Sequence, residues 1–233
     1  MLRHLGVDIP NPFQNVEFEP RPSLKNRSTF DIKKLAQAAI AELREDDSEA
    51  CKVFFLAAGA GLRRSEIDAL EWTAFLWSRG VIRIGPTKYF QPKSEHSIGD
   101  IDIDSFLLEI FKGYHATATS TFVIEAPGLP KPQARYVHYR CQEHFERLSA
   151  WLRARGVSTN KPLHTLRKEF GSLICEAEGI YAASRALRHS NIGVTDAYYT
   201  DKRRRVTVGL IGSYLNESFA LARHCMLVGF VFM

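Results

Sequence analysis

The chain of 233 residues carries 31 Lys and Arg against 26 Asp and Glu, with 45% hydrophobic and 24% charged residues. This balance excludes a fibrous or low-complexity polymer and fits an ordinary soluble globular protein, long enough for one large or two small domains. Its four cysteines, Cys51, Cys141, Cys175 and Cys225, are scattered without a C-x-x-C pair. That argues against a thiolate zinc site or a small disulfide scaffold and predicts a reducing, cytoplasmic setting.

Residues 1–28 hold four of the ten prolines and little apolar periodicity, so they read as an extended linker. The opening "MLRHLGVDIPNPF" has no apolar run of the signal-peptide kind. "STFDIKKLAQAAIAEL" then predicts a helix, with Ser28 and Asp31 spaced as a capping box. A second helix is predicted over "EACKVFFLAAGA", ending at Gly59 and Gly61, and a third restarts in "RSEIDALEW". "GVIRIG" at 80–85 and "SIGDIDID" at 97–104 alternate as strands, which predicts a hairpin with the long polar tip "PTKYFQPKSEH".

Further helices are expected in "SFLLEIFKGYH", "YVHYRCQEHFERLSAWLRARG", "HTLRKEFGSLICEAEG" and "YAASRALRHS", the last two parted by a helix-ending glycine in "EGIYA". The end, "CMLVGFVFM", is strongly apolar but too short to span a bilayer as a helix. Packing on the domain, docking on a neighbouring protomer and a poorly ordered end are all open for it. The expected organisation is therefore a linker over 1–28, a mainly α domain with one small antiparallel sheet over 29–215, and an apolar tail over 216–233.

Charge is unevenly spread. Between Lys131 and Lys168 nine Lys or Arg face two acids, Glu143 and Glu146, whereas "ELREDDSEA" at 42–50 is acidic. A basic face of this kind suits a polyanion, and a solvated helix surface explains it equally well on charge alone.

Four segments carry the residues that could do chemistry: "GLRRSEIDALEW", "PKSEHSIGDIDI", "HTLR" and "LRHSNIGVTDAYY". Each alone is ordinary, since H-x-x-R places two polar side chains one helical turn apart and a hairpin-tip lysine is usually just solvated. In this order and spacing they resemble the tyrosine recombinases, or phage integrase family, over roughly 28–215. The resemblance implies that family's catalytic-domain fold and places the first arginine at Arg63, with Glu66 as the acid of its box. His164 and Arg167 match H-x-x-R, and His189 and Tyr198 match the last box at the family's nine-residue interval. The hairpin lysine is Lys88 or Lys93, with Lys93 favoured because "KSEHSIGDIDI" is similar to the family's pattern. Tyr199 competes with Tyr198 only by adjacency.

The resemblance implies a site-specific recombinase that cleaves and rejoins double-stranded DNA through a 3′-phosphotyrosine. Arg63 and Arg167 would grip the phosphate, Lys93 would protonate the leaving 5′ oxygen, His164 would position the tyrosine or take its proton, and His189 would hydrogen-bond the phosphate. The positive charge comes from side chains, so neither a metal nor another cofactor is expected. Arg140, Arg147, Arg153 and Arg155 on the long helix, with Arg203 in "KRRR", are candidate DNA contacts. Arg188 stands where the family has glycine, and would either contact a phosphate or alter the helix end. The family acts as a tetramer on DNA and usually carries an N-terminal core-binding domain, which the 1–28 segment does not supply. A DNA-binding remnant without strand exchange, and a type IB topoisomerase-like relaxer, are the alternative readings.

Overall fold

The computed structural model describes residues 30–92, 95–130, 138–188 and 207–208; of His96, Ile180, Thr207 and Val208 only the backbone is described. The expected 1–28 linker, Lys93, His189, Tyr198, Tyr199, Arg203 and the 216–233 tail lie outside them.

The first helix, α1 (Ile32–Ala38), is capped by Asp31, whose carboxylate accepts from the amides of Lys33 and Lys34 at 2.9 and 3.3 Å. Asp31 is thus the cap itself, not the third helical residue that a cap at Ser28 would make it. A π-helical turn, Ala39–Leu43, carries the helix into α2 (Arg44–Asp46). Asp47 then caps α3 (Ser48–Ala58) through the Ala50 amide. Every residue of α3 from Ala50 to Ala58 is buried, as its run of Ala, Val, Phe and Leu dictates, so α3 forms the centre of the domain. It packs against α6 (Gln142–Ala154) and α7 (Pro162–Glu178).

After α3 the chain turns at Gly61, whose φ of +61° suits glycine, and enters the short helix α4 (Arg64–Asp68). The helix expected through Trp72 stops at Asp68. Trp72–Ala74 forms a 3₁₀ turn, because Glu71 bridges to Phe122 and the Trp72 amide donates to the Thr121 carbonyl. Strand β1 (Phe75–Leu76) follows, then β2 (Val81–Ile84) and β3 (Gly99–Ile103). These three are antiparallel, with Ile82 opposite Ile101 and Arg83 opposite Asp100. A two-residue strand, β4 (Thr207–Val208), adds in parallel to β3. The expected hairpin is present, and both extra strands are too short for alternation to announce them.

Helix α5 (Ser105–Ala116) is capped by Asp104 through the Leu107 amide at 2.7 Å. The helix expected from 136 begins at Gln142, so Arg140 lies before α6. Gly179, at φ +87°, ends α7, and α8 (Ile180–Ala186) folds back onto it through Phe170, Ile174, Ala182, Ala183 and Leu187. Among the described residues no helix is long and apolar enough to cross a membrane.

Candidate active site

The first arginine box sits at the turn between α3 and α4. Arg63 is the N-cap residue of α4, and its amide donates to a Glu66 carboxylate oxygen at 2.7 Å. An arginine side chain has no acceptor, so this is one half of a capping box, with Glu66 at the third helical position. The same carboxylate's other oxygen accepts from Arg63 Nη1 at 2.7 Å. Arg63 Nη2 donates to the Arg188 carbonyl at 3.2 Å. The Arg63 side chain remains 32% exposed, so a phosphate from solvent can still reach it.

Glu66 itself is buried, and it lies between two cations. Its Oε2 also accepts from Arg188 Nη2 at 2.6 Å, a pair shut away from water on both sides. Burial alone would raise the Glu66 pKa, but the charges of Arg188 and Arg63, together with the Arg63 amide, outweigh it and hold the carboxyl below its usual range. Glu66 is therefore an ionised anchor at neutral pH.

The second arginine reaches the same place from α7. Arg167 is buried, with Nη1 donating to the Gly61 carbonyl and Nη2 to the Leu187 carbonyl. It so ties the turn before Arg63 to the end of α8. Burial, and then the positive charge of Arg63, push its pKa down to about 9, which leaves it a cation at neutral pH. One helical turn earlier on α7 stands His164, exposed, its pKa lowered by partial burial and then by the charges of Lys168, Arg167, Lys161 and Arg64. His164 is a neutral imidazole at physiological pH, the form that accepts a proton.

The other end of α4 is fastened as well. The Asp68 carbonyl accepts from Arg140 Nε and the Asp68 carboxylate from the Cys141 amide, both at 2.8 Å. Arg140 also donates to the carbonyls of Ile124 and Ala126 and lies over the Phe122 ring. Of the remaining arginines expected on the basic face, Arg147 pairs with Asp47 and Glu143, and Arg155 pairs with Glu42 over the Trp151 ring. Arg153 is exposed on α6. Arg188 turns its guanidinium inward onto Glu66. On the hairpin, Lys88 is exposed at the tip, near the Tyr89 ring.

Of the expected catalytic residues, Arg63 and Arg167 meet around the Gly61 turn with the supporting Glu66, and His164 stands one helical turn from Arg167 on α7. The part that sequence reasoning did not assign is the inward Arg188, and its one signal was a bulky residue at a position that the resemblance gives to glycine.

A mostly helical domain with a small sheet and this arginine pair define a class. The phage integrase family model matches residues 28–205, and the chain belongs to that family. Its fold is that of tyrosine recombinase catalytic domains. It is similar to the crystal structure of XerA recombinase, with a TM-score of 0.53 and 15% identity over 95% of this chain and 71% of that one. It is also similar to the Tn1549 transposon integrase in complex with a circular intermediate DNA, with a TM-score of 0.48 and 18% identity over 70% of this chain and 58% of that one. A lambda integrase dimer bound to a core site gives 0.44 and 16% over 74% of this chain and 47% of that one. The chain thus spans less than two thirds of the latter two integrases. A search of curated proteins finds no match.

Proposed function

We infer that the protein cleaves and rejoins double-stranded DNA as a tyrosine recombinase, with Tyr198 as the nucleophile. The observation that supports this most is the place of Arg167, one turn after His164 on α7. Arg167 binds the Gly61 carbonyl beside the first arginine and the Leu187 carbonyl two residues before His189, so three separated sequence boxes share one place.

In the reaction, the Tyr198 hydroxyl attacks phosphorus and the 5′ oxygen of the scissile strand leaves, which stores the phosphodiester as a 3′-phosphotyrosine. Resealing is the reverse attack by a 5′ hydroxyl, so no external energy source is consumed. Free tyrosine is only about 0.1% ionised at neutral pH, and neutral His164 takes the phenolic proton as the new bond forms. Arg63 faces the charge that grows on the non-bridging oxygens, and Arg167 joins it by giving up a carbonyl partner; such charge-assisted hydrogen bonds contribute on the order of 1.5–3 kcal/mol each. Lys93 protonates the departing oxygen, and His189 donates to the phosphate. The side chains carry all the positive charge this chemistry needs, without metal or cofactor. The partner is double-stranded DNA, engaged by a homo-tetramer.

Covalent capture tests the reading. The protein is incubated with a pool of nicked duplexes of randomised core sequence, denatured, and the DNA that remains attached is recovered and sequenced. Wild type and Tyr199→Phe are expected to capture DNA, and Tyr198→Phe to capture none. Capture that survives in Tyr198→Phe would remove Tyr198 as the nucleophile. DNA that shifts in a gel with no capture by any form would favour a binding protein over a recombinase.

A further inference from the structure

Arg188 is a non-glycine residue at positive φ, 51°, and such conformations cost an L-residue energy that the surroundings must offset. Its side chain is only 4% exposed, and its stem passes Gly99, the first residue of β3, where an added Cβ would come into van der Waals contact with it. Nη2 binds Glu66 at 2.6 Å, while Nε and Nη1 are buried without a hydrogen-bond partner among the described residues. A surface contact for DNA needs none of these features. Two of them bear directly on Arg63. The Glu66 carboxylate that Arg188 pairs with also holds Arg63 Nη1, and the backbone carbonyl that the left-handed turn presents accepts from Arg63 Nη2.

We propose that Arg188 is a positioning residue for Arg63: its side chain keeps Glu66 in place as the Arg63 anchor, and its left-handed backbone aims a carbonyl at the other arm of the same guanidinium. The Arg63 fork is then held at both terminal nitrogens before DNA arrives. Without the Arg188 guanidinium, Glu66 Oε2 loses its buried partner, and the carboxylate that anchors Arg63 is no longer fixed from its inner side. The role rests on the reading of Arg63 as a phosphate-gripping arginine, but the geometry it predicts exists without DNA.

The test compares Arg188→Lys with Arg188→Met in the full chain. Both keep a long side chain at the same strained backbone, and only the first keeps the charge. In the DNA-free protein, ¹⁵N relaxation of the Arg63 guanidinium, assigned through Arg63→Lys, reads side-chain order. Order near that of wild type is expected in Arg188→Lys, and in Arg188→Met a clear fall toward that of the exposed Arg153. If Met does not fold, Arg188→Gly, which relieves the backbone cost, carries the same comparison. Arg63 as ordered in the uncharged variant as in wild type overturns the proposal, whatever the DNA chemistry.

On duplexes recovered by covalent capture, the rate of adduct formation at saturating DNA should fall roughly 10- to 100-fold in the uncharged variant, with DNA affinity held. Affinity that falls with the rate, together with a shallower salt dependence, would mean that Arg188 touches DNA itself and would also overturn the proposal. Loss of Arg63 order in a protein whose wild type captures no DNA would instead sink the recombinase reading and leave the positioning of Arg63 standing.

Discussion

His164 and Arg167 stand one turn apart on α7 and are treated oppositely by their surroundings. Arg167 is driven inward, where two carbonyls receive it, and His164 stays at the surface with cations around it. The sign of the histidine's shift has a kinetic consequence. A lowered pKa keeps His164 neutral to a pH below the ordinary 6.5, so an acceptor role persists there. The acid limb of the cleavage-rate profile should therefore lie below that of an unperturbed imidazole, and Lys168→Ala, which removes a repelling cation, should move it to higher pH. NMR titration of the His164 ring protons, assigned through His164→Gln, checks the same shift without DNA. An unmoved midpoint in Lys168→Ala would show that Lys168 contributes nothing and leave the shift to burial and to Arg167, Lys161 and Arg64. The sequence motif made both residues legible as candidates. It could not show that Arg188 turns inward, because whether an arginine meets water or a buried carboxylate depends on residues more than 100 positions away.

At the level of elements, the turn into α4 decides where Arg63 points. Gly61 has positive φ, its carbonyl receives Arg167, and a Cβ there would come within 2.6 Å of two atoms of the Phe170 ring on α7. Gly61→Ala thus meets both a backbone cost and a clash with a rigid ring in the core. We expect a loss of about 1–3 kcal/mol in urea unfolding, together with a drop in adduct formation, since Arg63 is two residues on. Gly59 and Gly61 read correctly as the end of α3 because glycine signals act locally. The boundaries that differed were set by distant partners. α4 ends at Asp68, whose carboxylate and carbonyl are claimed by Cys141 and Arg140. β1 exists only because Leu76 and Phe75 face Val81 and Ile82.

For the whole molecule, the described part of the basic window, from 138 to 168, divides into two populations that composition cannot separate. Arg140 spends three nitrogens on carbonyls of the chain and stacks on Phe122, whereas Arg153 stands exposed on α6. Measured against salt concentration, DNA affinity should lose a log–log slope of about 0.9 in Arg153→Ala if that residue meets one phosphate. Arg140→Ala should leave the slope alone and instead cost about 1–3 kcal/mol of stability, because it strands buried carbonyls. Equal slopes in Arg153→Ala and wild type would take α6 off the DNA face.

The sequence by itself determined what depends on local order: helices that follow apolar spacing, the β2–β3 hairpin that follows alternation, glycine stops, and four motif boxes whose spacing marked Arg63, His164 and Arg167. Only the tertiary structure decided which cations are for the chain and which remain for a ligand. That choice is made by burial and by partners brought together across the fold, as when Glu66 is held between Arg63 and Arg188, and no local pattern encodes it.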